Sequence, residues 1–233
     1  MQIRLIILDF DGTLGDTASV IIKTMHETIR EMGLPTRTDA ECAAMIGLRL
    51  VEIPPVLFPE CEIDVDLYAD TYRRLFDVHN KDGAVKLYPH VIETLKALKA
   101  RGLTLTIASS RGQTSLSQFV KNLGLTEIIT YILGAGDVEN GKPHPEAIFK
   151  TLDKYGFTET ESILNEWNYV KDWEERFVES LKILKTYKNE ILINSCFVGI
   201  CVDRYCTDLH CYRKNRCKVQ WQADVPHRAV CRC

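Results

Sequence analysis

The sequence contains no apolar run close to the roughly 20 residues that a helix needs to cross a bilayer, which argues against a membrane-spanning protein. It also lacks an excess of positive charge. Its 29 Lys and Arg against 32 Asp and Glu give a formal net charge of -3, so charge gives no reason to expect nucleic acid or an acidic membrane as partner. Because Met1 leads directly into an apolar run, we expect no secretory signal and a cytoplasmic location.

Common zinc-site spacing is absent as well. Seven of the nine cysteines lie in the last 38 residues. Four of them recur every five residues from Cys196 to Cys211, without the C-x2-C pairs of common zinc sites. From Cys196 onward the formal charge is +4, against -7 for the preceding residues. This change of composition marks a separate tail, which would suit an interaction arm.

What remains is ordinary for a soluble globular chain. Of the 233 residues, 45% are hydrophobic and 26% are charged, values typical of packed domains. This length allows one large domain, or a core with a smaller second unit.

The stretch from Leu5 to Thr17 carries the strongest chemical pattern. Four large aliphatic residues predict a strand buried on both faces, as in a parallel sheet, and two carboxylates, Asp9 and Asp11, follow at once. Ligands bind beyond the carboxyl ends of such strands. Gly12 then allows a sharp turn. A calcium loop also begins Asp-x-Asp, but it needs Gly and Glu at its sixth and twelfth positions, where Leu14 and Val20 stand.

Paired acids at this spacing suit phosphoryl transfer. One carboxylate can attack phosphorus while its neighbour protonates the leaving oxygen. Mg²⁺ is usually held by one or two carboxylates together with substrate phosphate and water, which matches the acids available. The simpler alternative is that both acids cap a helix.

Helical patterns follow the first strand up to about Gly83. They cover Ala18 to Met32, the stretch near Thr38 to Ile46, and that near Val65 to Asn80, and prolines between the last two prevent one continuous helix. In the same segment, Arg49 could bind a phosphate, although a solvated surface arginine fits equally well.

From Tyr88 onward, strand and helix patterns alternate, which predicts right-handed crossovers in a parallel sheet. The strand from Leu103 to Ala108 ends in Ser109 and Ser110, whose hydroxyls could donate to a phosphoryl oxygen. A serine in this place is otherwise a common helix cap. Lys142 lies between Gly141 and two prolines, and its ammonium could neutralise both a nucleophile and an incoming phosphate.

Together, Asp9-Phe10-Asp11-Gly12-Thr13-Leu14, Ser109 and Gly141-Lys142-Pro143-His144-Pro145 resemble the motifs of the haloacid dehalogenase-like superfamily. The closest resemblance is to its phosphoglycolate phosphatase and beta-phosphoglucomutase-like branch. It implies a Rossmann-like core with an inserted helical cap and dependence on Mg²⁺. It also implies that Asp9 is the nucleophile and Asp11 the general acid and base, and that Ser109 and Lys142 belong to the motifs that hold the phosphoryl group. We further predict that Thr13, Ser110 and Arg49 support substrate binding.

The expected architecture is therefore α/β. We assign residues 1–16 and 85–164 to the core, 17–84 to the cap, and 165–233 to an atypical, first helical and then Cys-rich segment. The family's next strand should end in Gly-Asp, with another acid soon after. Here Asn165 to Asn194 has instead the spacing of an amphipathic helix. Asp203 is the nearest substitute, so we predict a metal site of Asp9, Asp11 and Asp203. A foreign or frame-shifted tail would explain the lost pattern and would leave the chain weakly active.

Three functions remain open at this point. The first is an Mg²⁺-dependent phosphatase that acts on a small phosphorylated metabolite. The second is a phosphosugar mutase that uses the same intermediate and returns the phosphoryl group to the sugar. The third is a binding protein that keeps the fold but has lost the metal site. The sequence predicts no oligomeric state.

Overall fold

The computed structural model describes residues 3–81, 83–142, 144–158 and 161–166, together with strands at 193–195, 218–221 and 229–232. Five parallel strands form the main sheet in the order β5-β4-β1-β6-β7. Their bounds are β1 Leu5–Leu8, β4 Thr104–Ala108, β5 Tyr131–Leu133, β6 Ser162–Glu166 and β7 Ile193–Ser195. The predicted parallel α/β core is thus confirmed.

Strand β1 lies at the centre of this sheet, and both of its faces are buried. Ile6 and Leu8 join the larger hydrophobic cluster, whereas Leu5 and Ile7 join a smaller one on the opposite face. All four side chains are at most 1% exposed. Alternate residues of a strand point to opposite faces, so an unbroken aliphatic run is what a strand covered on both sides requires.

Helices connect the parallel strands. Helix α5 spans Val91–Ala100, α6 spans Gln113–Asn122 and α7 spans Glu146–Tyr155. Gly156 follows α7 with φ = 64°, a left-handed conformation that glycine adopts without steric cost and that commonly ends helices. The three helices alternate with strands, as the sequence pattern from Tyr88 onward predicts.

The inserted cap lies between β1 and β4 in the sequence. It consists mainly of α1 (Ala18–Glu31), α2 (Asp39–Ala43), α3 (Ile53–Leu57) and α4 (Val65–His79), with a short 3-10 helix at Leu50–Glu52. A polar contact joins α1 to α4: Thr24 Oγ1 lies 3.0 Å from His79 Nδ1. Two short antiparallel strands, β2 (Gly15–Asp16) and β3 (Lys86–Leu87), pair where the chain leaves and re-enters the core.

The sequence prediction is wrong at the fourth strand of the sheet. The helix predicted from Asn165 to Asn194 would begin inside β6, where Asn165 pairs with Leu8 of β1, and it would end inside β7. Residues 167–192 lie outside the described part. The reason for the error is that Asn165 and Glu166 carry neither the apolar pattern of a strand nor the expected Gly-Asp ending.

The chain divides into two compact units, residues 1–195 and 196–233. The second contains a pair of antiparallel strands, β8 (Lys218–Trp221) and β9 (Ala229–Arg232). The boundaries that the sequence predicts for core, cap and tail stay predictions. No helix within the described residues is long and apolar enough to cross a membrane.

Candidate active site

The turn after β1 places both acids at the carboxyl end of the central strand. The Phe10 carbonyl accepts hydrogen bonds from the amides of Thr13, Leu14 and Gly15 at 2.9 to 3.2 Å. Gly12 has φ = 76°, a conformation that a side chain would strain. These backbone bonds fix the turn independently of any ligand, so the position of the carboxylates is built into the fold.

Asp9 is buried and paired. Its side chain is only 8% exposed, and Oδ1 accepts a hydrogen bond from Lys142 Nζ at 2.8 Å. Thr13 Oγ1 donates to Oδ2 at a longer distance, 3.4 Å. An ion pair buried to this extent is shielded from water and salt and responds strongly to the loss of either partner. Lys142 therefore lies beside the predicted nucleophile, 133 residues away in sequence.

Asp11 is held by Arg111, a residue that the sequence analysis did not select. Arg111 Nη2 donates to Asp11 Oδ1 at 2.6 Å, and Nε donates to Oδ2 at 3.0 Å. The guanidinium also lies 4.7 Å from the ring centroid of Phe76 and 4.9 Å from that of Phe119. Burial has the largest single effect and lowers the pKa of Arg111. The charge of Asp11 and the hydrogen bonds to it, together with smaller contributions from Tyr72 and Asp9, outweigh burial and raise the pKa.

Ser109 and Ser110 follow β4 at the same end of the sheet. Ser109 is buried, and its Oγ accepts a hydrogen bond from the Arg111 amide at 3.2 Å. The Ser110 hydroxyl is buried, and the described part of the chain offers it no hydrogen-bond partner. A buried hydroxyl without a partner is costly, which makes Ser110 suited to bind a ligand oxygen. The predicted substrate contacts of both serines stay predictions.

Arg49 reaches from the cap to the loop that carries Lys142. Its Nη1 donates to the Glu139 carbonyl at 3.0 Å and its Nη2 to the Val138 carbonyl at 3.2 Å. A Cβ added to Gly141 would lie 2.4 Å from Arg49 Nε, so glycine is needed for this close approach. In this structure the terminal nitrogens of Arg49 bind the loop backbone, and its predicted role toward phosphate stays a prediction.

The same loop is tied to the first turn of α7 by Glu146. Its carboxylate accepts the amides of Glu139 and Asn140 at 2.9 and 2.8 Å, and Lys150 Nζ lies 2.8 Å from Oε1. The hydrogen bond from Lys150, followed by those from the two amides, lowers the pKa of Glu146 to about 2. Glu146 thus fixes the backbone just before Lys142, which the sequence alone did not indicate.

We expect Glu146→Gln to destabilise the protein at neutral pH but not in strong acid. A carboxyl group whose pKa is lowered by folding stabilises the protein above its unfolded pKa, and loses this effect as the pH falls through its folded pKa. The difference in free energy of unfolding between wild type and variant should therefore be complete above about pH 5 and vanish towards about pH 2. Urea unfolding at a series of pH values measures it.

Glu93→Gln, at an exposed glutamate in the first turn of α5, is the matched control for this experiment. It removes a carboxylate that lies away from the Lys142 loop. If the difference in free energy of unfolding between wild type and Glu146→Gln stays constant across the pH range, the Glu146 carboxylate does not stabilise the loop as proposed.

A cavity of about 670 Å³ is lined by Asp9 and Asp11 together with other residues of the core and the cap. The core lines it with Ser109, Ser110 and Arg111, among others, and the cap with side chains that include Arg49, Tyr72 and Arg73. Arg73 is 59% exposed and pairs with Asp70, whereas its neighbour Arg74 pairs with Glu31 on α1. Only one of these adjacent arginines lines the cavity, as expected for neighbours on a helix.

The donor set at the base of this cavity fits Mg²⁺, because two carboxylates at one strand end are the kind and number of protein ligands that this ion takes. Among the described residues, no three His, Cys, Asp or Glu side chains form a preformed metal cluster. Asp203, the third predicted ligand, lies outside those residues. The register offers another acid: Asn165 lies level with Leu8, so Glu166, the last residue of β6, is level with Asp9, which directly follows β1.

A buried parallel strand, a carboxylate pair at its end, a lysine against the first acid and a cap over the cavity define a hydrolase of the haloacid dehalogenase-like class. The family model of haloacid dehalogenase-like hydrolases matches residues 6–174. The chain belongs to this family.

Several relatives are named for phosphate chemistry. The chain is 34% identical to pyrophosphatase PpaX of Halalkalibacterium halodurans over 167 residues, which cover 70% of this chain and 74% of that protein. It is 27% identical to phosphoglycolate phosphatase of Aliivibrio fischeri over 171 residues, covering 70% and 75%. Both matches cover 70% of this chain.

Solved structures support the same fold. A haloacid dehalogenase-like family hydrolase from Streptococcus pneumoniae superposes with a TM-score of 0.58 at 21% identity, covering 70% of this chain and 74% of that one. CbbY from Rhodobacter sphaeroides, solved with phosphate, gives 0.61 at 17% identity, with coverage of 71% and 78%. At these identities the likeness extends to the fold alone.

Proposed function

We propose that this haloacid dehalogenase-like phosphatase hydrolyses a small phosphorylated metabolite through an aspartyl-phosphate on Asp9, with Mg²⁺ as cofactor. The observation that carries the proposal is the position of Asp9, which follows the central strand, lines the cavity and lies 2.8 Å from Lys142 Nζ. The names of the relatives, a pyrophosphatase and a phosphoglycolate phosphatase, support a small phosphorylated substrate.

In the proposed first step, an Asp9 oxygen attacks phosphorus as the bond to the leaving oxygen breaks. Asp11 gives its proton to that oxygen, so the leaving group departs as a neutral hydroxyl. Lys142 and the Ser109 hydroxyl hold the phosphoryl oxygens, and Thr13 supports Asp9. When bound, Mg²⁺ would offset the negative charges of Asp9 and the phosphoryl group.

In the second step, Asp11 accepts a proton from a water molecule, and the resulting hydroxide attacks the phosphorus of the aspartyl-phosphate. The bond from phosphorus to Asp9 breaks and inorganic phosphate leaves. Asp11 is then protonated and Asp9 ionised, as at the start. The cap would exclude other water while the first step proceeds.

A screen of phosphorylated metabolites with and without Mg²⁺, measured as release of inorganic phosphate, tests this function. We expect turnover of at least one small substrate that requires Mg²⁺. Isomerised sugar phosphate without free phosphate would instead indicate the mutase. Binding of a phosphate analogue without any turnover would indicate the non-catalytic binding protein.

For the metal site we expect Glu166 to contribute and Asp203 not to contribute. The reason is register: Glu166 is the last residue of β6, and because Asn165 pairs with Leu8, Glu166 is level with Asp9. Because Mg²⁺ is held by few protein groups, Glu166→Gln should weaken its binding by roughly tenfold or more. Calorimetric titration of Mg²⁺ in the presence of inorganic phosphate measures this.

Asp203→Asn is the matched control for this titration. If it weakens Mg²⁺ binding while Glu166→Gln does not, the third ligand comes from the tail, as the sequence alone predicts. If neither variant changes the affinity, Asp9 and Asp11 hold the metal without a third acid.

A further inference from the structure

We infer that Arg111 selects substrates by binding a second anionic group on the leaving group, close to the oxygen that departs. The inference rests on the proposed phosphatase function and names the substrate class of that site. This class comprises small phosphate esters or anhydrides whose leaving group carries a carboxylate or phosphate within two or three bonds of the bridging oxygen. The contacts of Arg111 and the charges around it carry the argument.

Each acid at the base of the cavity has a cation against it, Lys142 on Asp9 and Arg111 on Asp11. In the proposed first step Asp11 is protonated, so Lys142 offsets Asp9 and Arg111 carries the remaining positive charge. A dianionic phosphoryl group arriving with Mg²⁺ adds no net charge, and Arg111 is then the cation that can balance a further anion on the substrate.

The Arg111 guanidinium lies in a buried position. Its side chain is only 10% exposed, and leaving a buried charge without a partner is strongly unfavourable. Asp11 must release the guanidinium when it turns toward the metal or the leaving oxygen. Arg111 then needs another anion, and the open direction is the cavity that it lines.

The position of Arg111 is fixed by its neighbours. Arg111 is held by contacts that do not depend on Asp11: the faces of Phe76 and Phe119, and Ser115 Oγ, which accepts from Nη1 at 3.1 Å. The guanidinium therefore stays in place when Asp11 moves. Because it now touches Asp11, the proposed proton donor to the leaving oxygen, an anion that replaces Asp11 must lie very near that oxygen. The planar fork suits either a carboxylate or a phosphate.

The experiment compares phosphoglycolate with ethyl phosphate, in which a methyl group replaces the carboxylate. The full chain with Mg²⁺ is used, and kcat/KM for phosphate release is measured for wild type, Arg111→Gln, Arg111→Lys and Arg73→Gln. Pyrophosphate and methyl phosphate form a second pair, which shows whether a carboxylate or a phosphate is the preferred second anion.

We expect wild type to favour the charged member of at least one pair by about tenfold or more, the size of effect that a charge-assisted hydrogen bond gives. Arg111→Gln should lower this ratio by about the same factor of ten, and Arg111→Lys should retain part of the preference. For the second pair a preference remains in every variant, because phosphate is a better leaving group than methanol, so the change in the ratio is compared. Arg73→Gln removes an exposed cavity arginine and should leave the ratio unchanged. A ratio that survives in Arg111→Gln, or that falls only in Arg73→Gln, overturns the inference.

Using a ratio separates selectivity from the general loss of rate that freeing Asp11 would cause. If wild type releases phosphate from no substrate, the proposed function fails, and the role of Arg111 is then judged by binding. In that test phosphoglycolate should raise the melting temperature of Asp9→Asn protein more than ethyl phosphate does, and addition of Arg111→Lys should reduce the difference. Equal shifts with both ligands would refute the inference even if Arg111→Gln does not fold.

Discussion

Replacing Asp9 by Asn is expected to lower phosphate release by roughly a thousandfold or more, because an amide has the shape of a carboxylate but is a poor nucleophile. The amide oxygen can still accept the hydrogen bond that Lys142 Nζ makes at 2.8 Å, so the fold should be retained. Phosphate release under saturating substrate and Mg²⁺ measures the effect, and circular dichroism checks the fold.

Asp16→Asn provides the control for Asp9. Asp16 lies in the same segment, on β2, but its side chain is exposed. This variant should keep the activity of wild type. If Asp9→Asn keeps activity close to that of wild type, Asp9 is not the nucleophile. The proposed aspartyl-phosphate on Asp9 is then not the intermediate.

Much of this site could be predicted from local sequence because its parts lie at strand ends. The aliphatic run from Leu5 to Leu8 identifies the central strand, and the turn that follows fixes Asp9 and Asp11. Ser109 follows the next buried strand in the same way. Strand ends of a parallel sheet meet at one edge, so local patterns are enough to expect these side chains together, and the structure places them there.

The contacts of the arginines could not be predicted in this way. Arg111 and Asp11 are separated by 100 residues, and Arg49 binds carbonyls 89 and 90 residues further along the chain. Nothing in the neighbouring sequence distinguishes either arginine from a surface residue. Their burial depends on how the cap closes over the core, which is decided by tertiary packing and not by local spacing.

Strand β6 was missed for a different reason. Its residues Ser162 to Glu166 are mixed in polarity, and a strand of five residues offers too little alternation to be separated from the start of a helix. Only its pairing identifies it, since Leu5 to Leu8 align with Ser162 to Asn165. The sequence pattern therefore does not indicate Glu166, the acid at the end of this strand, as a metal ligand.

Replacing Lys142 by Met is expected to lower phosphate release by roughly a hundredfold or more, the scale seen when a group that stabilises transition-state charge is removed. Without the ammonium, two anions, Asp9 and the phosphoryl group, must approach each other in a buried site. Lys154→Met is the control. It removes a lysine of α7 that lies 4.4 Å from the Tyr131 ring centroid, away from Asp9, and should leave turnover nearly unchanged.

Combining Lys142→Met with Asp9→Asn distinguishes electrostatic support of the nucleophile from an independent effect on the fold. If Lys142 acts through Asp9 and the phosphoryl group bound to it, the double variant should be scarcely slower than Asp9→Asn alone, because residues that act as a unit are not additive. A further hundredfold loss, or a melting temperature that falls with each substitution, would show that Lys142 serves mainly to hold its loop in place. Lys142 would then not be catalytic, and the remaining groups around Asp9 would have the role proposed for it.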